Sequence, residues 1–307
     1  MWLILSVIGY AILAVVVMID KFLLSSVKVQ PVLYTFYSSI FVLPLLLLVP
    51  FGVTFLHTPF DFLMAIISGL AFAFALWTMF LGFEKSEISH VGPLVGAATP
   101  LFVLLFSNLF LSEILTIRQL VASGLLIIGS LVVSFEKSKQ HSGWHSGMVW
   151  GIAAGIFFAV SHVSAKYIYI NYDFFSGFVW TRAATGIFGL FLLLHPVVQR
   201  VLFKNTILDK VKNKFLSVKS KKDNTILVVI NKILSTVGVV IVQYAMAIGS
   251  VSLVNALNGL QYALLIILVL LFSKFWPKKF KEDYARGEIV QELLAVIIII
   301  CGLILLV

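Results

Sequence analysis

Three amide side chains lie close together in an otherwise apolar stretch near the end of the sequence. Asn255, Asn258 and Gln261, with Tyr262 beside them, fall within residues 250–274. In a helix, Asn255, Asn258 and Tyr262 are spaced i, i+3 and i+7 and therefore share one face. Amides are costly to leave in lipid, so we expect this face either to bind a polar solute or to hydrogen-bond to neighbouring helices.

Three basic side chains fall within two neighbouring apolar stretches. His162 and Lys166 lie one helical turn apart in residues 147–168, and Arg182 lies roughly two turns into the next stretch. A positive charge at that position suits a negatively charged or zwitterionic solute better than a cation. Two other roles stay open, because Lys166 could extend to the membrane surface and Arg182 could bind a helix-end carbonyl.

His90 and Trp77 are further candidates for a solute-binding cavity, together with Tyr10 and Gln243. A histidine within an apolar stretch either forms a fixed hydrogen bond or carries a proton. No carboxylate lies in the middle of a stretch, so His90 and His162 are the only groups within the stretches whose ordinary pKa lies near neutrality. We therefore expect facilitated or exchange-type movement of the solute rather than carboxylate-driven proton antiport.

The composition places the chain in the membrane. Of its 307 residues, 61% are hydrophobic and 11% are charged, whereas a soluble protein carries about a quarter charged residues. The apolar runs are continuous rather than alternating, which favours helices over a β-barrel. The single cysteine, Cys301, excludes an intrachain disulfide framework.

Ten apolar segments of bilayer length predict an all-α membrane protein with ten transmembrane helices. They are residues 2–23, 31–49, 62–83, 89–111, 116–135, 147–168, 174–195, 225–246, 250–274 and 288–307. The first segment has no basic region before it and no cleavage motif, so we expect it to be retained rather than removed as a signal peptide.

The net charge of +9 is interpreted as an orientation signal and not as a nucleic-acid signal. Basic residues are concentrated in the loops after odd-numbered segments, while the loops after even-numbered segments offer only Arg118. The positive-inside rule then places the basic loops in the cytoplasm and both termini outside a cytoplasmic membrane.

The longest linker, residues 197–224, has apolar residues at helical spacing between lysines. The apolar positions are Leu208, Val211, Phe215 and Val218. This pattern is typical of a cationic amphipathic helix on an anionic lipid surface, with a solvated basic loop as the alternative.

The two halves of the chain resemble each other, which predicts repeats over residues 1–140 and 141–307. Asp20-Lys21-Phe22 matches Ala165-Lys166-Tyr167, and Gly96 matches Gly259. Five segments per repeat require the halves to run in opposite directions, and such inverted repeats place a solute site near the midplane between them.

Nearly the whole chain, in two copies, resembles the drug/metabolite transporter superfamily, in particular its EamA-like ten-helix branch, and residues 86–135 are the most specific part. The resemblance rests on a proline within segment 89–111 and on a Leu-Ser-Glu turn that leads to segment 116–135. The matching positions are Pro100, Leu111, Ser112, Glu113, Leu115, Thr116 and Gln119. The family also tends to have a lysine late in the first helix of each repeat and an arginine in the second helix, matched by Lys21, Lys166 and Arg182.

Tyr37 and Ala263 depart from this pattern, since they stand where an arginine and a second proline would be expected. The resemblance implies a basket of ten helices around a central cavity. It also implies transport of amino acids, other metabolites, drugs or nucleotide sugars.

Other residue patterns argue against an enzyme. The sequence has no phosphate-binding Gly-x-x-x-x-Gly-Lys-Ser/Thr loop and no His-Glu-x-x-His motif, and His141 with His145 lacks a third metal ligand. We therefore expect no cofactor and no metal. The two Gly-x-x-x-Gly pairs, Gly92 with Gly96 and Gly151 with Gly155, predict close helix packing, and Glu113 beside Arg118 is interpreted as structural.

The sequence thus predicts a secondary carrier of a small organic solute, working by alternating access as a monomer or homodimer. Two other classes stay open. One is a non-transporting membrane scaffold or assembly subunit, which has no need of three amides around a cavity. The other is a lipid flippase, which requires a cavity that opens sideways into the bilayer.

Overall fold

The computed structural model describes residues 1–27, 30–85, 88–134, 146–203, 221–275 and 286–306, and most of them are helical. The α-helices are α1 (Trp2–Val27), α2 (Pro31–Ile40), α3 (Pro59–Lys85), α4 (Ile88–Leu111), α5 (Ile117–Ser134), α6 (Ser146–Asn171), α7 (Phe174–Leu192), α8 (Pro196–Phe203), α9 (Lys221–Ile248), α10 (Val251–Ala256), α11 (Asn258–Phe275) and α12 (Arg286–Leu306). No strand occurs in these ranges.

Within the described ranges, eight segments are long and apolar enough to cross a bilayer. They match the first eight predicted segments. The last two predicted segments correspond to shorter apolar stretches, Val251–Leu265 and Leu293–Leu306. Many large apolar side chains on these helices are exposed, among them Leu105, Ile187 and Ile297, which suits a protein surrounded by lipid.

The second segment departs from a continuous α-helix. It ends as α-helix at Ile40 and continues as a 3₁₀-helix over Leu43–Phe51. Pro44 and Pro50 lie in this stretch and have no N–H to donate to an α-helical ladder. The chain then turns at Gly52, whose φ of 101° is accessible to glycine without a Cβ clash.

Helices from the first half of the chain pack against helices from the second half. α6 packs along α3 and α4, α1 packs along α9, and α5 packs along α12. Glycines make several of these approaches possible, because a Cβ on Gly155 would lie 2.5 Å from the Cβ of Ala98 on α4. A Cβ on Gly151 would meet Val91 and Leu94 of the same helix. The prediction that this glycine pair serves packing is confirmed.

Several predicted features fall outside the described part of the chain. These are the amphipathic pattern of residues 208–218 and the His141–His145 pair, and the side chains of Lys21 and His90 are likewise not described.

Candidate functional site

Arg182 is a buried cation on α7. Asp173 accepts a hydrogen bond from the N–H of Ser176 and so caps the start of this helix. Arg182 lies well inside the helix, and its side chain is 2% exposed. Its guanidinium carbon lies 3.9 Å from the centroid of the Phe72 ring on α3. The guanidinium thus lies over an aromatic face, in a cation–π arrangement.

None of the three guanidinium nitrogens of Arg182 has a hydrogen-bond partner among the described residues. A guanidinium carries five N–H donors and stays charged in proteins. An unpaired charge in a low-dielectric interior is strongly destabilising, and contact with a ring face compensates only part of that cost. The site therefore has an unused capacity to bind a carboxylate, phosphate or similar anion.

His162 lies near Arg182 and has a defined hydrogen bond. Its Nδ1 is 2.7 Å from Oδ1 of Asn255 on α10, and its ring stacks on Phe158. The Asn255 amide nitrogen donates to the carbonyl of Val251 at 2.8 Å, which fixes Oδ1 as the atom that faces the histidine. Nδ1 of a neutral His162 must then carry the proton, and Nε2 remains an acceptor.

The predicted amide face divides into separate environments. The helix of this segment is interrupted at Leu257, between α10 and α11. Asn255 is buried and bonded to His162, whereas Asn258 is half-buried at the start of α11. Gln261 is buried as well. Interrupted helices at such positions are common where transporters bind solute.

Tyr262 packs against the glycine pair of α4. A Cβ placed on Gly96 would lie 2.1 Å from a ring carbon of Tyr262, and a Cβ on Gly92 would lie 3.2 Å from the ring. The Tyr262 side chain is 6% exposed. The prediction that these glycines allow close packing is confirmed, and the group they admit is an aromatic ring from the other half of the chain.

Trp77 belongs to an aromatic cluster between α3 and α7. Its ring stacks on Phe74 with the centroids 6.2 Å apart, and both rings contact Phe188 on α7. The indole nitrogen of Trp77 is buried and donates to no group in the described ranges. A free indole N–H close to an apolar wall offers a second donor for a bound solute.

Lys166 is placed differently from Arg182. Its Nζ donates to the carbonyl oxygens of Met246, Ala247 and Gly249 at 2.9, 3.0 and 2.7 Å. These oxygens belong to the C-terminal end of α9, where carbonyls lack helical partners and the helix dipole favours a cation. All three ammonium donors are therefore occupied by the backbone.

Glu113 makes a contact between the two halves that sequence reasoning missed. Ser252 at the start of α10 donates to the Glu113 carboxylate, and Ser107 lies 2.6 Å from Ser252. Ser112 has a left-handed backbone (φ 53°), which turns the chain just before Glu113. The Leu-Ser-Glu turn thus binds the other half of the chain.

Asp61 is a second missed group, at the start of α3. It accepts hydrogen bonds from the hydroxyls of Tyr167 and Tyr172 at 3.0 and 2.6 Å, and from both donors of Thr58. Nearby, burial would raise the pKa of Asp173, but hydrogen bonds from Ser176 and Thr54 outweigh it and lower that pKa. These contacts fix the loop before α3 to the α6–α7 corner.

Helix number and apolarity define a multi-pass integral membrane protein. Residues 1–135 match the profile of the EamA-like transporter family, which confirms the resemblance found in the sequence. The match covers less than half of the chain, so it is a similarity to a family of transporters.

Solved structures support the fold. One crystal structure of a protein aligns over 99% of this chain and 94% of its own, with a TM-score of 0.64 and 17% identity. At that identity the likeness concerns the fold alone. The comparison with curated proteins gave no significant match.

Proposed function

We propose that this protein is a secondary transporter for a small organic solute that carries a negative group, such as a metabolite or amino-acid-like compound. The observation that carries this proposal is Arg182, which is 2% exposed with no hydrogen-bond partner for its guanidinium in the described part of the chain. A bound carboxylate would supply the missing counter-charge with two parallel hydrogen bonds.

We propose three further residues as contacts for such a solute. His162 offers Nε2 as an acceptor because Asn255 holds the proton on Nδ1. Trp77 offers an N–H donor, and Asn258 lies half-buried beside the helix interruption. A solute with an anionic group and one hydrogen-bond donor matches this set.

The helix packing supports alternating access between two inverted repeats, residues 1–140 and 141–307. α1 packs along α9, and α6 packs along α3. In each case the first helix of one repeat lies on the third helix of the other. An arrangement of this kind lets one repeat move against the other around a site between them.

The experiment is uptake of small organic anions into proteoliposomes that contain the purified protein. We expect Arg182→Gln to raise the apparent KM at least about 10-fold, because hydrogen bonds to a charged group are worth about 1.5–3 kcal/mol. Arg182→Lys keeps the charge but loses the two parallel hydrogen bonds. Its apparent KM should therefore lie between those of the wild type and Arg182→Gln. Arg118, exposed at the start of α5, supplies the control Arg118→Gln, which should transport normally.

Two outcomes contradict the proposal. Transport of an anion that is equally fast with Arg182→Gln, at equal protein abundance, would remove Arg182 from the binding site. Failure of every anion in a broad solute panel, with lipid scrambling in the same vesicles, would favour the flippase. Absence of both activities would favour the scaffold.

A further inference from the structure

A carboxylate, a phenol, an amide and an ammonium meet where α1, α2 and α9 come together. Asp20 lies at the end of the first span and is half-buried. Its Oδ1 accepts from the hydroxyl of Tyr34 at 2.6 Å and from the amide nitrogen of Asn231 at 2.7 Å. The Nζ of Lys232 donates to the Tyr34 hydroxyl at 3.2 Å and lies 4.3 Å from its ring centroid.

The donors in this group form a directed chain. Lys232 has only protons to give, so Tyr34 accepts from it and donates its own hydroxyl proton to Asp20. The order is the ammonium of Lys232, the phenol of Tyr34 and the carboxylate of Asp20. In each hydrogen bond the proton lies between its donor and its acceptor. Such a chain keeps an ionised carboxylate and a lysine coupled without direct contact between them.

Asn231 shows that the ionised arrangement leaves one group unsatisfied. Its side chain is 1% exposed, and Nδ2 is used by Asp20. Its Oδ1 is buried and has no donor among the described residues. A buried acceptor without a donor is unfavourable. Rotation of the amide by half a turn would bring Oδ1 of Asn231 to the Asp20 carboxyl group. Two acceptors would then face each other, unless the carboxyl group carried a proton.

We infer that Asp20 is a proton-binding site, with Asn231 as the group that distinguishes its two states. In the ionised state Asn231 donates through Nδ2 to the carboxylate, as observed. In the protonated state a hydronium ion gives a proton to Asp20, which forms an O–H bond on the carboxyl group and leaves a water molecule. That hydroxyl donates to Oδ1 of the rotated Asn231 amide, and this hydrogen bond replaces the one that Nδ2 donates in the ionised state.

The groups around Asp20 suit this role. Among the described side chains, Tyr34 of α2 and Lys232 of α9 are the titratable groups in contact with Asp20 or with each other. α10 and α11 also pack against α1, and their described side chains include no carboxylate, histidine, lysine or arginine. Because α1 and α9 belong to different repeats, protonation of Asp20 changes a hydrogen bond that joins the repeats.

The position of Asp20 also revises an expectation. The sequence pointed to His90 and His162, because their ordinary pKa lies near neutrality and no carboxylate lies in the middle of a span. Asp20 ends its span, yet it is enclosed by α2 and α9 and separate from Arg182 on α7. Proton binding by Asp20 does not depend on the proposed transport, whereas its use as a coupling proton does.

Infrared difference spectroscopy of the whole protein in hydrated lipid films tests proton binding without any solute. As the pH is lowered from mildly alkaline to mildly acidic, we expect a carboxylic-acid C=O band that is absent in Asp20→Asn. Asp61→Asn is the matched control, because Asp61 has four donors and no amide beside it. That variant should retain the band.

A second variant keeps the test informative if Asp20→Asn folds poorly. Asn231→Leu retains the carboxyl group but removes its amide partner, so the C=O band should persist and shift to the frequency of a carboxyl without that hydrogen bond. Two results overturn the proposed proton site. One is a carboxylic-acid band that is the same in the wild type and in both variants, and the other is the absence of any band that titrates. Anion transport measured separately then shows whether the proposed function also fails.

Discussion

Arg182 and Lys166 are both basic residues within helices, but their hydrogen-bonding environments differ. Every donor of Lys166 is bound to a carbonyl at the end of α9. No nitrogen of Arg182 has a partner in the described ranges. A charge that is already satisfied stabilises the fold, whereas a charge that is not satisfied is available to a ligand. This difference is the reason that we propose Arg182, and not Lys166, as the residue that binds the solute.

At the same scale, Asn258→Leu should leave the protein folded and inserted but weaken transport. Loss of one hydrogen bond to a solute costs about 1 kcal/mol or more, which is a rise in apparent KM of about 5-fold. The measurement is concentration-dependent uptake at matched protein abundance. Asn171→Ala, at the exposed end of α6, serves as the control. Unchanged kinetics in Asn258→Leu would assign this amide to packing.

At the scale of elements, the turn between α9 and α10 is held from two sides. Lys166 of α6 binds the end of α9, and Glu113 with Ser107 binds Ser252 of α10. Ser250 caps the start of α10 by accepting from the N–H of Leu253. Since α10 carries Asn255, this turn positions the hydrogen bond to His162.

Lys166→Met should therefore lower stability more than solute binding. It leaves three helix-end carbonyls without a donor, at a cost of about 1–3 kcal/mol. Thermal unfolding in detergent should show a clear fall in Tm. The control Lys85→Met replaces an exposed lysine that lies over the Trp150 ring, and it should change the Tm little. A Lys166→Met protein with wild-type Tm and no transport would instead mark Lys166 as a solute ligand.

The α4–α11 contact gives a sharper test of packing. Gly96→Ala places a Cβ where the Tyr262 ring lies, so we expect destabilisation by about 1–3 kcal/mol. Gly124 of α5 has nothing within 4 Å of an added Cβ, and Gly124→Ala should be neutral or stabilising by up to about 1 kcal/mol. Chemical unfolding of the two variants side by side measures the difference. Equal stability would show that Tyr262 moves away at no cost.

At the scale of the whole molecule, orientation stays a prediction from loop charge. The basic loops should lie in the cytoplasm and both termini outside. A reporter that is active only in the cytoplasm should be silent after Val307 and active when inserted in loop 135–145, which is its positive control. The opposite pattern would place both termini in the cytoplasm and contradict the prediction.

The same orientation would place the basic linker 197–224 against the anionic cytoplasmic leaflet. We expect this linker to bind vesicles that contain anionic lipid, and we expect added salt to weaken that binding. Replacing Lys210, Lys212 and Lys214 by Gln should reduce that binding, with Lys232 left intact. Equal affinity for neutral vesicles would contradict this partner. Mass measurement in the same samples distinguishes between the two predicted states, a monomer and a homodimer.

The sequence alone determined the class of protein and most of the helix positions. Runs of apolar residues long enough for a bilayer require helices whatever the tertiary structure, because lipid offers no partner for backbone N–H and C=O groups. For the same reason the predicted segments up to residue 246 reappear as membrane-length helices. The family resemblance depended on local motifs such as Leu111-Ser112-Glu113, which are visible in one dimension.

Only the tertiary structure decided what each polar residue contacts. Lys166, Arg182 and Asp20 could each be free or paired from the sequence, because their partners lie on helices far away in the chain. Asp20 meets Asn231, and Lys166 meets the carbonyl of Gly249. Helical periodicity gives the face on which a side chain lies but not the helix opposite it. That pairing, and with it the absence of a hydrogen-bond partner for Arg182 in the described ranges, is set by packing between helices.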